Sequence, residues 1–220
     1  MKYMNGLFAI FLLPASMHAA AAYPMPTPAA DGADATAAEI EKSIFNLNGH
    51  IGSWPTHFSS DEERERIYRE WRHALQSAWR LEAAEPAAEK NLALLGDLYR
   101  QGHNLEVAGA AEAADTTIKQ CLAKYPDSVS CHFVASYFYL SVNPKYAPLG
   151  EKSLLRLRLI FQPKVNSEVE RGLVFAYLYQ GQNDKALEQI DYYLTLEPAS
   201  DWAKKFRNGL RAGKARLIVE

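Results

Sequence analysis

The sequence predicts an all-α protein, a short solenoid of helical hairpins stacked side by side, and three observations carry that prediction. Over residues 167–198, Val169, Leu173, Val174, Tyr177 and Leu178 recur at three- and four-residue steps, the period of one helical face. Gly181 then breaks the pattern, and Ala186, Leu187, Ile190, Tyr193, Leu194 and Leu196 restart it as far as Pro198. Second, Pro126, Pro163 and Pro198 close successive segments at spacings of 37 and 35 residues, and a regular interval of this size marks repeated helix pairs. Third, a composition of 48% hydrophobic and 23% charged residues suits a packed globular chain.

The elements follow in chain order. Residues 1–22 fit a secretory signal peptide: Lys2, an apolar run from Leu7 to Leu13, and small residues at Ala20-Ala21-Ala22, with cleavage expected just before Tyr23. The alternative is an uncleaved anchor, but the run is far shorter than the roughly 20 residues of a membrane helix. Residues 23–36 are rich in Pro, Ala and Gly without apolar periodicity and read as a flexible or polyproline-like linker. Residues 37–86 form a first hairpin. Asp34 or Thr36 is its candidate cap, Ile40, Ile44, Phe45 and Leu47 are its apolar positions, and Gly49, Gly52 and Pro55 lie in its loop. The Ser60-Asp61-Glu62-Glu63 capping box starts its second helix.

Residues 88–126 make the next hairpin. An insert at about 102–110, after Gln101-Gly102, is either a lip over a groove or a longer loop. Residues 128–163 and 167–198 are two more hairpins, with Asn183 or Asp184 as cap after the Gly181 turn. A final helix over 200–212, capped by Ser200-Asp201, has Trp202, Phe206 and Leu210 inside and Lys204, Lys205, Arg207 and Arg211 outside, the pattern of an end cap.

Tyr177, Gly181, Ala186 and Pro198 hold the aromatic, turn-glycine, small-residue and closing-proline places of a tetratricopeptide (TPR) repeat, and residues 167–198 resemble one. Leu95-Gly96-Asp97-Leu98-Tyr99 with Gly102 resembles the same pattern, and Ala74 precedes Pro86 as Ala186 precedes Pro198. The resemblance implies a right-handed α-solenoid whose concave groove is lined by the first helix of each hairpin. By helical phase the groove residues of such an array are Arg100 in one hairpin, His132, Phe133 and Tyr139 in the next, and Arg171, Phe175 and Tyr179 in the third. Lys90, Asp97, Gln101 and Ser136 share those faces. The bland reading of Phe133, Phe175 and Tyr179 is packing between hairpins. The carboxylate clamp of chaperone-binding TPR domains does not transfer, because its places here read Ala93, Asp97, Phe133, Glu168 and Gly172.

The resemblance therefore implies a scaffold that binds a protein or peptide, and the signal peptide adds the expectation of export, periplasmic or secreted in a bacterium. The alternative is a small-ligand-binding accessory subunit of a transport system, which would enclose a pore lined by His132, Tyr139 and Arg171. A net charge of −2 with interspersed signs argues against a nucleic-acid partner, and no stable membrane insertion is expected. Cys121 and Cys131 flank a short turn and in an oxidising compartment read as a disulfide, the alternative being two buried thiols. No nucleophile elbow, P-loop or dinucleotide fingerprint occurs, and His50, His57, His73, His103 and His132 lack metal-site spacing, so no enzyme, cofactor or metal is expected. A cluster of His50, His57 and His103 would revive the enzyme reading.

Overall fold

The computed structural model describes residues 23–28, 35–53 and 56–213. The expected signal peptide, residues 29–34 of the expected linker with Asp34, and Pro55 lie outside the described residues. The described residues are all-helical: α1 (Ala37–Ile51), α2 (Asp61–Ala84), α3 (Glu89–Asn104), α4 (Ala110–Lys124), α5 (Val129–Val142), α6 (Ala147–Phe161), α7 (Ser167–Tyr179), α8 (Asn183–Leu196) and α9 (Asp201–Arg211), with one 3-10 turn at Pro144–Tyr146.

Local chemistry starts most of these helices. Thr36 caps α1 in a full capping box with Glu39. Ser60 caps α2 at the Glu63 amide, but the Glu63 carboxylate reaches one residue further back, to the Ser59 amide and hydroxyl. Asn166 caps α7 by accepting from two amides. Two expected caps are corrected. Gln182 occupies the N-cap of α8 without a side-chain bond, and Ser200 sits at the N-cap of α9 with its buried hydroxyl unbonded. The Gly181 turn forms as expected, with φ of +70°.

Sequential helices pack in pairs, and α1, α3, α5 and α7 also pack successively against one another, which places them in one layer. α9 packs on α8. The core runs along the chain as linked apolar clusters rather than one central knot. At its N-terminal end Ile40, Leu47, Ile67, Trp71, Leu75 and Leu98 are fully buried together.

Three features depart from the sequence reading. Residues 23–28 are not a free linker but lie against α2. Tyr23 stacks on Tyr68 with centroids 3.9 Å apart, its hydroxyl donates to Glu65 at 2.6 Å, and the Thr27 carbonyl accepts from Gln76 at 2.7 Å. The Tyr23 carbonyl also accepts from the Ala108 amide. Aromatic stacking, invisible to a compositional linker rule, holds this segment.

Of the 102–110 insert, residues 102–104 continue α3 and 105–109 form the loop to α4, a packed loop in which Leu105 and Val107 are buried in the cluster shared with α1 and α3. Gly102 is not a turn residue. It lies within α3, where a Cβ would stand 2.6 Å from Trp71 Cζ2, so the glycine permits close approach of α2 and α3.

Cys121 and Cys131 are bonded, with Cα atoms 6.1 Å apart, and tie the end of α4 to the start of α5. Opening this short loop by reduction, or by Cys121→Ala with Cys131→Ala, is expected to lower stability by about 2–3 kcal/mol on the loop-entropy account. Urea unfolding with and without reductant reads this directly.

His103 is partly buried, and desolvation holds its pKa below the ordinary 6.5 against the opposing pull of Glu112. A depressed folded-state pKa means that the unfolded chain binds the proton more readily, so stability rises with pH through this window and is lost as pH falls below 6.5. Thermal melts between pH 7.5 and 5.5 should show this loss, and His103→Gln should flatten it.

Candidate functional site: an aromatic groove

Two adjoining clefts open on the face formed by α1, α3, α5 and α7. The first, about 400 Å³, lies between α1, α3 and α5, with Ile44, Phe45, Leu94, Phe133, Val134 and Tyr137 among its walls. The second, about 430 Å³, continues over α5 and α7 to α9 and is lined by Tyr137, Leu140, Arg171, Phe175, Tyr179 and Trp202. Tyr137 lines both. The two clefts therefore adjoin as one groove rather than forming separate holes.

Helical phase explains the alignment. On α5, Phe133, Tyr137 and Leu140 follow three- and four-residue steps, and on α7 Arg171, Phe175 and Tyr179 follow four-residue steps. The rings are held by their neighbours. Phe133 stacks on Tyr137 at 6.0 Å, Phe175 on Trp202 at 5.6 Å, and Trp202 leans on Tyr193 at 5.4 Å. The Tyr137 hydroxyl donates to Glu168 at 3.2 Å, and Glu168 also pairs with Arg171. Burial and the adjacent Glu168 raise the Tyr137 pKa, and burial raises that of Tyr179, so both phenols are neutral hydrogen-bonding groups at physiological pH.

At the far rim a Lys90–Glu41 ion pair joins α3 to α1. Phe45 beside it is 77% exposed. Charge in the groove is thus locally paired, and the remaining surface is aromatic. Such a surface takes up apolar side chains with little ordering cost, since each ring has few rotamers to lose.

Of the seven expected groove residues, the structure brings four to this face: Phe133, Arg171, Phe175 and Tyr179. The other three are corrected. Arg100 is 2% exposed, and its guanidinium binds Asp97 Oδ1 at 2.7 Å, the Gly52 carbonyl at 3.0 Å and Asn48 Oδ1 at 2.7 Å. It ties α3 to α1, because α1 covers the α3 face that a three-hairpin array would leave open.

His132 is buried with Nε2 2.9 Å from the Pro126 carbonyl, and the buried Tyr139 hydroxyl donates to Asp115 at 2.8 Å. Both sit one residue off the groove phase of α5, and one residue is about 100° of helix. Tyr137 was missed for the same reason, although it lies four residues from the correctly placed Phe133. Trp202 was missed because its spacing assigned it to the α9 packing stripe.

Among the described residues no three His, Cys, Asp or Glu side chains gather as a metal site, and no helix is long and apolar enough to cross a membrane. What the fold and groove define is a class: an all-helical protein with an open, aromatic-lined face. No family model matches the chain, and neither does any curated protein or solved structure.

Proposed function

We propose that this chain is an exported, TPR-like scaffold, a right-handed α-solenoid of helical hairpins capped by α9, that binds a protein or peptide partner in its concave groove. The observation that carries the reading is the run of Phe133, Tyr137, Phe175, Tyr179 and Trp202 along two clefts that share one ring. Anchoring aromatics with ion pairs at the rim suit a segment that inserts apolar side chains and satisfies its polar groups at the edge. The Cys121–Cys131 bond fits an oxidising compartment. An enclosed pore would favour a small-ligand accessory subunit, but His132 and Tyr139 are buried elsewhere and the clefts are open.

A photoreactive residue in place of Ser141, in the wall of the second cleft, tests the groove in the cell of origin. One discrete protein adduct is expected, lost with Phe175→Ala or Tyr179→Ala. No adduct, or adducts unchanged by both substitutions, overturns the reading. For export, N-terminal sequencing of the mature protein is expected to begin within two residues of Tyr23, and an intact Met1 overturns it.

A further inference from the structure

The opposite side of α7 carries a third cleft with different chemistry. Glu170 and Tyr177 lie across the helix from Arg171, Phe175 and Tyr179, and face an open cleft of about 820 Å³ bordered by the end of α6, the 162–166 turn and α8. That volume falls within the range of small-molecule sites.

The floor is a saturated ion pair. Glu170 is 1% exposed, and its two carboxylate oxygens accept from Arg158, through Nε at 2.9 Å and through Nη2, and from Gln189 Nε2 at 2.8 Å. Gln189 Oε1 accepts in turn from Arg158 Nη2 at 3.1 Å. A guanidinium has five N–H donors. This network uses those on Nε and Nη2, and among the described residues none of the bonds of Arg158 uses Nη1.

The walls add more donors. Lys164 and Lys185 line the cleft, and among the described residues neither pairs with a carboxylate. Asn166 spends its carbonyl oxygen on the first amides of α7, which leaves its amide N–H groups for the cleft. With Glu170 neutralised by Arg158, the two lysines face a single further carboxylate, Glu188. The cleft is locally cationic on a chain whose net charge is −2. Tyr177 and Tyr192 supply ring faces, and the Lys185 ammonium stands 5.7 Å from the Tyr177 centroid.

We infer that this cleft is a second site, separate from the groove, for an anion with an aromatic or apolar body. Its carboxylate or phosphate meets Arg158 Nη1 and the two lysines, while the body lies on Tyr177 and Tyr192. Charge-assisted bonds to a partly desolvated guanidinium supply the affinity, and the rings select the body.

Calorimetry on the mature protein with phenyl phosphate, benzoate and uncharged benzyl alcohol tests this, with amide shift mapping by NMR to locate the probe. The expected result is binding of one or both anions and not of the alcohol, with shifts centred on Gln189 and Tyr192. The stronger anion identifies the head group as phosphate or carboxylate. Lys164→Gln with Lys185→Gln, both exposed, should keep the melting temperature and weaken binding about tenfold or more. Phe175→Ala in the groove should leave it unchanged. Failure of both anions to bind at millimolar concentration overturns the inference, as does equal binding of the alcohol, retention of affinity in the double variant, or shifts confined to the groove.

Discussion

Trp71→Ala is expected to destabilise the protein by about 3–5 kcal/mol, the range for removing a fully buried large aromatic. Trp71 has no exposed surface and packs among Ile67, Leu75, Leu98 and Leu105, so the vacated volume has no route to solvent. The Leu98 carbonyl also loses the indole N–H that donates to it at 2.7 Å. The same contact explains a second substitution. Gly102→Ala forces a methyl group against Trp71 Cζ2 and should cost about 1–3 kcal/mol on its own. With Trp71 already replaced by Ala, that methyl loses its clash with the ring and keeps only the 3.2 Å approach to Ala110 Cβ. The two effects should therefore be strongly non-additive, and a double-mutant cycle from urea unfolding measures the coupling. Additive losses would mean that the α2–α3 approach is not what Gly102 protects.

Arg100→Ala is expected to cost about 3–5 kcal/mol, because it removes one partner of a buried pair and leaves Asp97 without its cation, while Asn48 Oδ1 keeps only Gln101 Nε2 at 2.9 Å. Asp97, whose side chain is 17% exposed, recovers some hydration and places the loss toward the lower end. Asn48 and the Gly52 carbonyl lose charge-assisted donors at the same time. The substitution separates two views of the residue. A groove-lining arginine would lower partner affinity and leave stability intact. A buried tie between α3 and α1 acts first on stability: the midpoint of urea unfolding drops, and any loss of binding follows from the Tyr137 ring over which the guanidinium lies. Phe175→Ala supplies the contrast, with lost binding as its main effect and a stability loss confined to its stack on Trp202.

How far the sequence reached depends on the range of the interactions involved. The helices, their pairing in chain order, the left-handed turn at Gly181 and the Cys121–Cys131 pairing were legible, because apolar period, turn chemistry and short loop closure are properties of neighbouring residues. The groove was legible on α7 and half-legible on α5. There the phase read from the sequence puts Phe133 on the groove, but puts His132 and Tyr139 where the structure has Tyr137 and Leu140. A phase error of one residue turns a side chain by about 100°, and an apolar-rich helix such as α5 offers no polar face to fix the phase.

What the sequence by itself determined is an all-helical chain of paired segments, since most segments carry their own period and their own breaks. Which faces those helices leave open was decided only in three dimensions. Arg100 is buried because α1 lies across α3, residues 23–28 are held because Tyr68 offers Tyr23 a ring, and Leu105 and Val107 turn an insert into core. Each contact joins residues far apart along the chain or separated by a turn of unknown direction. Their energies depend on distances that no local pattern encodes.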